Sequence, residues 1–208
     1  MSRTACATII LLLLFVRSAS AAPIIHAWLE AYNSDNQPFT TIKVGQTFEL
    51  RAYVEDLRAP HGGVAAAYLF APFTSEFISP VGSVQVANFF DDFQSFGIVS
   101  GNALGGGGTS LETNPSKLPP PGPQLLFSLT MVATNPGQAG IGQASAPPSP
   151  SYDWFVFFQD EPVPRSQINF INVTKLSFDV VVPEPGAFTL AGVAISSLGL
   201  RVARRRSR

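Results

Sequence analysis

Thr47-Phe48-Glu49-Leu50-Arg51-Ala52-Tyr53-Val54-Glu55 is the stretch that decides the fold of this chain. Phe48, Leu50, Ala52 and Val54 fall on one side of an extended segment, and Thr47, Glu49, Arg51, Tyr53 and Glu55 fall on the other. Successive side chains of a strand point to opposite faces, so the alternation marks a strand with one face in a core and one toward water.

The same signal recurs outward along the chain. Leu125 to Thr134 repeats the pattern, and Lys175 to Val182 places Leu176, Phe178, Val180 and Val182 on one side. Val64 to Phe73 and Tyr152 to Phe158 are continuous apolar runs and predict central strands covered on both faces. Weaker strand signals run over Ile24 to Tyr32, Phe39 to Val44, Val81 to Phe90, Ala139 to Ala144 and Gln167 to Asn172. Turn residues separate them: Ser34-Asp35-Asn36, Val44-Gly45-Gln46, His61-Gly62-Gly63, Asn135-Pro136-Gly137 and the Pro-rich Ala146 to Ser151. Gly101 to Pro123 holds four consecutive glycines, Gly105 to Gly108, and the run Leu118-Pro119-Pro120-Pro121-Gly122-Pro123. This composition predicts a long surface loop outside the core, with the glycines as its flexible tip. Eight to ten short strands over about 160 residues, without an amphipathic helix, predict an all-β, two-sheet antiparallel sandwich.

Lys43-Val44-Gly45-Gln46-Thr47-Phe48-Glu49-Leu50, then Val54-Glu55-Asp56-Leu57-Arg58, then Gly63-Val64-Ala65-Ala66-Ala67-Tyr68 resembles the opening strands of cohesin-like sandwich modules. Leu126-Phe127-Ser128-Leu129 followed by Gly137 to Ala144 is similar to a later strand pair of that kind. The resemblance spans half of the body, implies a cohesin/Ig-like sandwich and adds support for a binding role. A dockerin-type repeat with paired calcium loops is absent from the sequence.

Both ends carry signals of another kind. Arg3, the apolar run Ala5 to Val16 and the small residues Ser18 to Ala22 have the order of a secretory signal peptide, residues 1–21, with Ala19-Ser20-Ala21 as the cleavage site. The single cysteine, Cys6, lies in this leader, so residues 22–182 must be held by a core without disulfides. At the other end, Pro183-Glu184-Pro185 precedes an uncharged run, Ala187 to Leu200, and then Arg201, Arg204, Arg205 and Arg206. Fourteen residues make roughly 21 Å of helix, so a span over about 187–203 needs Arg201 to snorkel. The arginines stay cytoplasmic by the positive-inside rule, leaving the body outside. This ordered combination resembles the PEP-CTERM sorting signal of exported bacterial proteins. The resemblance implies transient anchoring in the membrane, processing by an exosortase near Pro183-Glu184-Pro185 and release to the cell surface or medium, in an organism that makes exopolysaccharide or biofilm.

Charge excludes one class of partner. Between Ala22 and Pro183 stand six basic and 13 acidic residues, a net charge of −7, and such a body lacks the basic stripe that nucleic acid requires. His26 and His61 have no cysteine or second histidine at ligand spacing, so no structural metal is expected. No G-x-S-x-G, H-E-x-x-H, Walker A or dinucleotide motif occurs. The adjacent carboxylates Glu55-Asp56, Asp91-Asp92 and Asp160-Glu161 read mainly as solvated loop ends, with Asp91 and Asp92 the candidates for a calcium ion. Trp28, Trp154, Tyr32, Tyr68, Tyr152 and the phenylalanines are material for a sugar-stacking platform, but large aromatics on strands more often pack a core, which is the expectation here. Phe89-Phe90 and Phe93, flanking Asp91-Asp92, stand outside that expectation.

These readings predict a non-enzymatic surface or matrix protein whose sandwich contacts polysaccharide or other surface proteins. The alternative is a secreted carboxylate-dependent hydrolase acting on polysaccharide.

Overall fold

The computed structural model describes residues 24–110, 122–142, 155–157, 168–169 and 176–184 of the 208. In chain order the elements are β1 (Ile25–Tyr32), β2 (Thr41–Lys43), β3 (Thr47–Asp56), β4 (Val64–Pro72), β5 (Ile78–Pro80) and β6 (Gln85–Val86). A 3-10 turn (Asn88–Phe90) leads to β7 (Phe93–Ser100), β8 (Ala103–Thr109), β9 (Gln124–Ala133), β10 (Gly137–Ile141), β11 (Phe155–Phe157), β12 (Ile168–Asn169) and β13 (Leu176–Val181).

β3 is the strand that its alternation predicts. Phe48, Leu50, Ala52 and Val54 are buried and Glu49, Arg51, Tyr53 and Glu55 stand on the outer side. It lies between β1 and β9, both antiparallel to it, in a sheet ordered β12-β1-β3-β9-β5, with β6 also on β9. A second sheet runs β11-β4-β8-β7, and a third, β10-β13-β2, contributes Ile42, Ala139, Ile141, Phe178 and Val180 to the same core. The core lies between the two larger sheets, where side chains of β1, β3 and β9 meet Ala67, Leu69, Ala71 and Leu104 of β4 and β8. The expected two-sheet antiparallel arrangement therefore needs two corrections: a three-stranded sheet joins the core, and β1–β12 and β13–β2 pair in parallel.

Gly101 to Pro123 was expected outside the core, and its first part is the larger correction. Ala103–Thr109 is an interior strand, hydrogen-bonded to β4 on one side and β7 on the other, and Gly105, Gly106, Gly107 and Gly108 are all buried. The glycines are there because neighbours occupy the space that side chains would fill. A Cβ on Gly106 would stand 2.9 Å from Val84 and 3.1 Å from the Phe127 ring, and one on Gly105 would stand 2.6 Å from the Phe70 ring. At Gly107 φ is +153°, and a Cβ would collide with the Ala67 carbonyl oxygen, so the backbone itself excludes other residues. Residues 111–121 of the expected loop lie outside the described residues.

Smaller differences have local causes. The apolar run at Val81 to Phe90 is divided, because β6 ends at Val86 and the 3-10 turn then drives Phe90 into the core. Phe93–Ser100 forms a strand that alternation did not mark. β11 pairs only with β4 among the described residues, which puts it at the end of its sheet and not at the centre. β9 carries a bulge opposite Ala52/Tyr53, so Leu126 and Phe127 are both buried and Leu125 is turned outward.

The β3–β4 connection is closed by Asp56, which is buried at the end of β3. Its carboxylate accepts from the Arg58 backbone N–H (2.9 Å) and guanidinium (3.0 and 3.1 Å), Gly62 N–H (2.8 Å) and Gly63 N–H (3.0 Å). Burial pushes its carboxyl up, but the Arg58 and Gly62 donors outweigh burial and hold it below the ordinary carboxylate value. Ala59-Pro60 is a cis peptide within this loop.

Among the described residues no helix is long and apolar enough to cross a membrane. The leader 1–21 with Ala19 and Ala21, the segment 187–203, and Pro185, Arg201, Arg204, Arg205 and Arg206 lie outside the described residues.

Candidate functional site

The outer face of β1 and β3 gathers aromatic and charged side chains in facing pairs. Register sets His26 opposite Glu55, Trp28 opposite Tyr53, Glu30 opposite Arg51 and Tyr32 opposite Glu49. All eight are half-buried. His26 stacks on Trp28 with centroids 4.5 Å apart, and Trp28 stacks on Tyr53 at 5.4 Å. The cross-strand pair Trp28–Tyr53 stabilises the sheet modestly, by about 0.2–1 kcal/mol.

Hydrogen bonds fix the polar members. Glu30 accepts from the Trp28 indole N–H at 3.0 Å with one oxygen and from the Tyr32 hydroxyl with the other. That carboxylate, with some burial, pushes the Tyr32 phenol well above its ordinary value, so it stays a donor. Arg51 donates to Glu49 through Nε at 2.8 Å, lies 4.5 Å from the Tyr32 ring centre, and is held protonated by Glu49. His26 and Glu55 approach to 3.8 Å.

At the Tyr32 end the ladder opens onto a cleft of about 280 Å³ lined by Asn33, Ser34, Asn36, Thr47, Glu49 and Arg51 among others. Its wall is a hydrogen-bonded turn. Asn33 Oδ1 accepts from Asp35 N–H (3.0 Å) and Gln37 N–H (2.9 Å), and Asn36 takes positive φ (57°), which asparagine tolerates.

The outer face of the second sheet is different in kind. Tyr68 is 2% exposed, stacks on Phe96 at 5.4 Å across Gly107, and shares a hydrogen bond of 3.1 Å with Thr109. Phe70 leans on Phe96 at 5.8 Å over Gly105. These rings cover the glycine strand, and Ile98, 43% exposed, borders them.

Trp28 and Tyr32, expected in the core with the other aromatics, stand instead on the outer face, because the inward positions of β1 are filled by Ile25, Ala27 and Ala31. Phe90, singled out as an exception, is wholly buried and meets Phe89 edge-on at 5.2 Å. Adjacent Glu55 and Asp56 point to opposite faces, as strand geometry requires. Asp91 and Asp92 are both exposed; Asp91 accepts from the Ser95 hydroxyl and Asp92 from that of Ser110 at 3.4 Å. Among the described residues no group of three or more His, Cys, Asp or Glu side chains is placed to hold a metal ion. His61 places Nδ1 3.0 Å from the Asp56 carbonyl and belongs to the loop closed by that residue. Pro183 and Glu184 are exposed immediately beyond β13. Asp160, Glu161, Tyr152 and Trp154 lie outside the described residues. The outward side of Tyr53 was visible as alternation, but its pairing with Trp28 and the cleft at Asn33 were not, because both depend on separate segments of the chain meeting.

The architecture is a cohesin-like β-sandwich. A chain of the OlpC type I cohesin–dockerin complex from Clostridium thermocellum is 12% identical, with 80% of this chain and 99% of that one covered at a TM-score of 0.50. The seventh ScaB type I cohesin from Pseudobacteroides cellulosolvens is 7% identical, with 78% and 95% covered and the same TM-score, 0.50. No protein-family model and no curated protein matches the chain.

Proposed function

We propose that this chain is a non-catalytic binding or structural module of the cell surface or extracellular matrix, exported and sorted through its C-terminal signal. The observation that carries the reading is the state of the carboxylates on the exposed face of β1 and β3. Glu30 is tied to Trp28 and Tyr32, Glu49 to Arg51, and Glu55 lies beside His26, so each is engaged by neighbouring side chains and braces the surface. A hydrolase acting through two carboxylates needs them facing one another across a substrate.

The fold supports the same reading. The neighbour from Clostridium thermocellum is held in a cohesin–dockerin complex, so a sandwich of this kind serves there to hold a partner. Here the partner class is extracellular polysaccharide or surface proteins. Export fits the other end of the chain: Val182, Pro183 and Glu184 are exposed directly after β13, where a membrane-bound exosortase would meet the motif. The test is incubation of the purified protein with a panel of extracellular polysaccharides. Saturable binding without release of reducing ends is expected, and release of reducing ends overturns the reading.

A further inference from the structure

We infer that the outer face of β1 and β3, from His26 to the cleft at Asn33, is a binding surface for a neutral polysaccharide chain. The inference rests on the binding-module reading and assigns it a site and a ligand class.

Three features point to that ligand. Trp28, Tyr53 and His26 form a contiguous aromatic surface that is half-exposed and fixed on two strands with eight paired positions. Sugar rings present C–H faces to such a surface, and a sheet holds the aromatics at no conformational cost when the ligand arrives. Beside the rings stand planar polar groups whose orientation is already set: Glu30, Glu49 and Arg51, then Asn33 at the cleft. Hydroxyls of a sugar donate to carboxylates and amide oxygens and accept from guanidinium and amide N–H groups. From His26 to Tyr32 the strand extends roughly 20 Å, the length of several sugar residues, and the cleft of about 280 Å³ continues it.

Charge selects the class. Glu30, Glu49 and Glu55 outnumber the guanidinium of this face, Arg51, which is already engaged by Glu49 and stacked on Tyr32. A uronate or sulfated chain would meet net repulsion there, whereas a neutral chain desolvates no charge of its own. Among the described residues the other outer face offers no such arrangement, since Tyr68 is covered and its hydroxyl is shared with Thr109.

The experiment uses the full chain with mixed-linkage β-glucan, galactomannan and dextran as neutral probes and alginate as the anionic one, read by affinity electrophoresis and tryptophan fluorescence. At least one neutral polymer should bind and change the fluorescence. Trp28→Ala and Tyr53→Ala should each weaken binding tenfold or more, and Ile98→Ala on the opposite sheet should leave it unchanged. Thr47→Trp, at an exposed cleft position, should also block binding, which keeps the test decisive if Trp28→Ala lowers the melting temperature. Binding of alginate alone, or no binding by any polymer, overturns the inference. Binding lost in Ile98→Ala but kept in Trp28→Ala overturns the site while the module reading stands; release of reducing ends overturns the module reading itself.

Discussion

The Phe127 ring of β9 lies directly beneath Gly106 of β8, so close that a Cβ on the glycine would stand 3.1 Å from the ring. The two larger sheets meet at this point, with Val84 beside it and Phe127 fully buried. Interiors are packed to crystal density, and such an approach leaves no room for a methyl group.

Gly106→Val should therefore destabilise the protein by about 1–3 kcal/mol through overpacking. Urea denaturation should show a lower midpoint with an unchanged slope. Adding Phe127→Leu should recover part of the loss, a coupling expected only of residues in contact. Wild-type stability in Gly106→Val would refute the close approach.

Asp56 gives a pH dependence with a definite sign. Its folded carboxyl titrates below the ordinary value of about 3.9, so its contribution is present above that value and is lost as pH falls through the lower folded one. Asp56→Asn keeps one acceptor oxygen but sets an amide NH2 against the other donors of the loop, which should cost about 1–3 kcal/mol near neutrality. Melting temperature followed from pH 6 to pH 2 should fall less steeply in the variant than in the parent. Parallel curves would show that Asp56 gains nothing from Arg58 and the glycines.

Phe178 joins the last strand to the core. Its ring meets Phe48 edge-on at 5.2 Å and Phe39 at 5.0 Å, and it is 3% exposed. Phe178→Ala should cost about 3–5 kcal/mol. A chain ended after Glu184 should melt as the parent does, whereas one ended after Lys175 loses β13 and should lack a cooperative transition by circular dichroism. Equal melting of the two shortened chains would show that β13 is dispensable.

Glu184 is the charge within Pro183-Glu184-Pro185, and a residue before proline favours extended geometry, which is the expectation for Val182 and Glu184. Mass spectrometry of the protein from its own host should find most molecules ending near this motif, and Glu184→Ala should leave Arg208 in place. An intact C-terminus in the parent, unaffected by the substitution, would end the sorting-signal reading.

Legibility in the sequence followed the range of the forces involved. β3 and β13 were readable because Phe48 to Val54 and Phe178 to Val180 alternate strictly, and which side of a strand a residue takes is fixed by its own backbone. β8 was not, because glycines have no side chains to alternate and low strand propensity to signal. Of the candidate site, Tyr53 was assigned to the outer side of its strand, but Trp28 and Tyr32 were assigned to the core on the weight of their size.

By itself the sequence determined an acidic, cysteine-free body of β-strands, the inward and outward sides of the alternating ones, and the order of charged, apolar and small residues at both ends. Those properties are composition and near-neighbour geometry, which need no folded chain to be read. Only the tertiary structure decided that Gly105 to Gly108 lie inside, because Phe70 and Phe127 come to them from distant strands and fill the space that side chains would have taken. It likewise decided that Trp28 faces outward, since Ile25, Ala27 and Ala31, on the other side of the same strand, are the residues that the core takes.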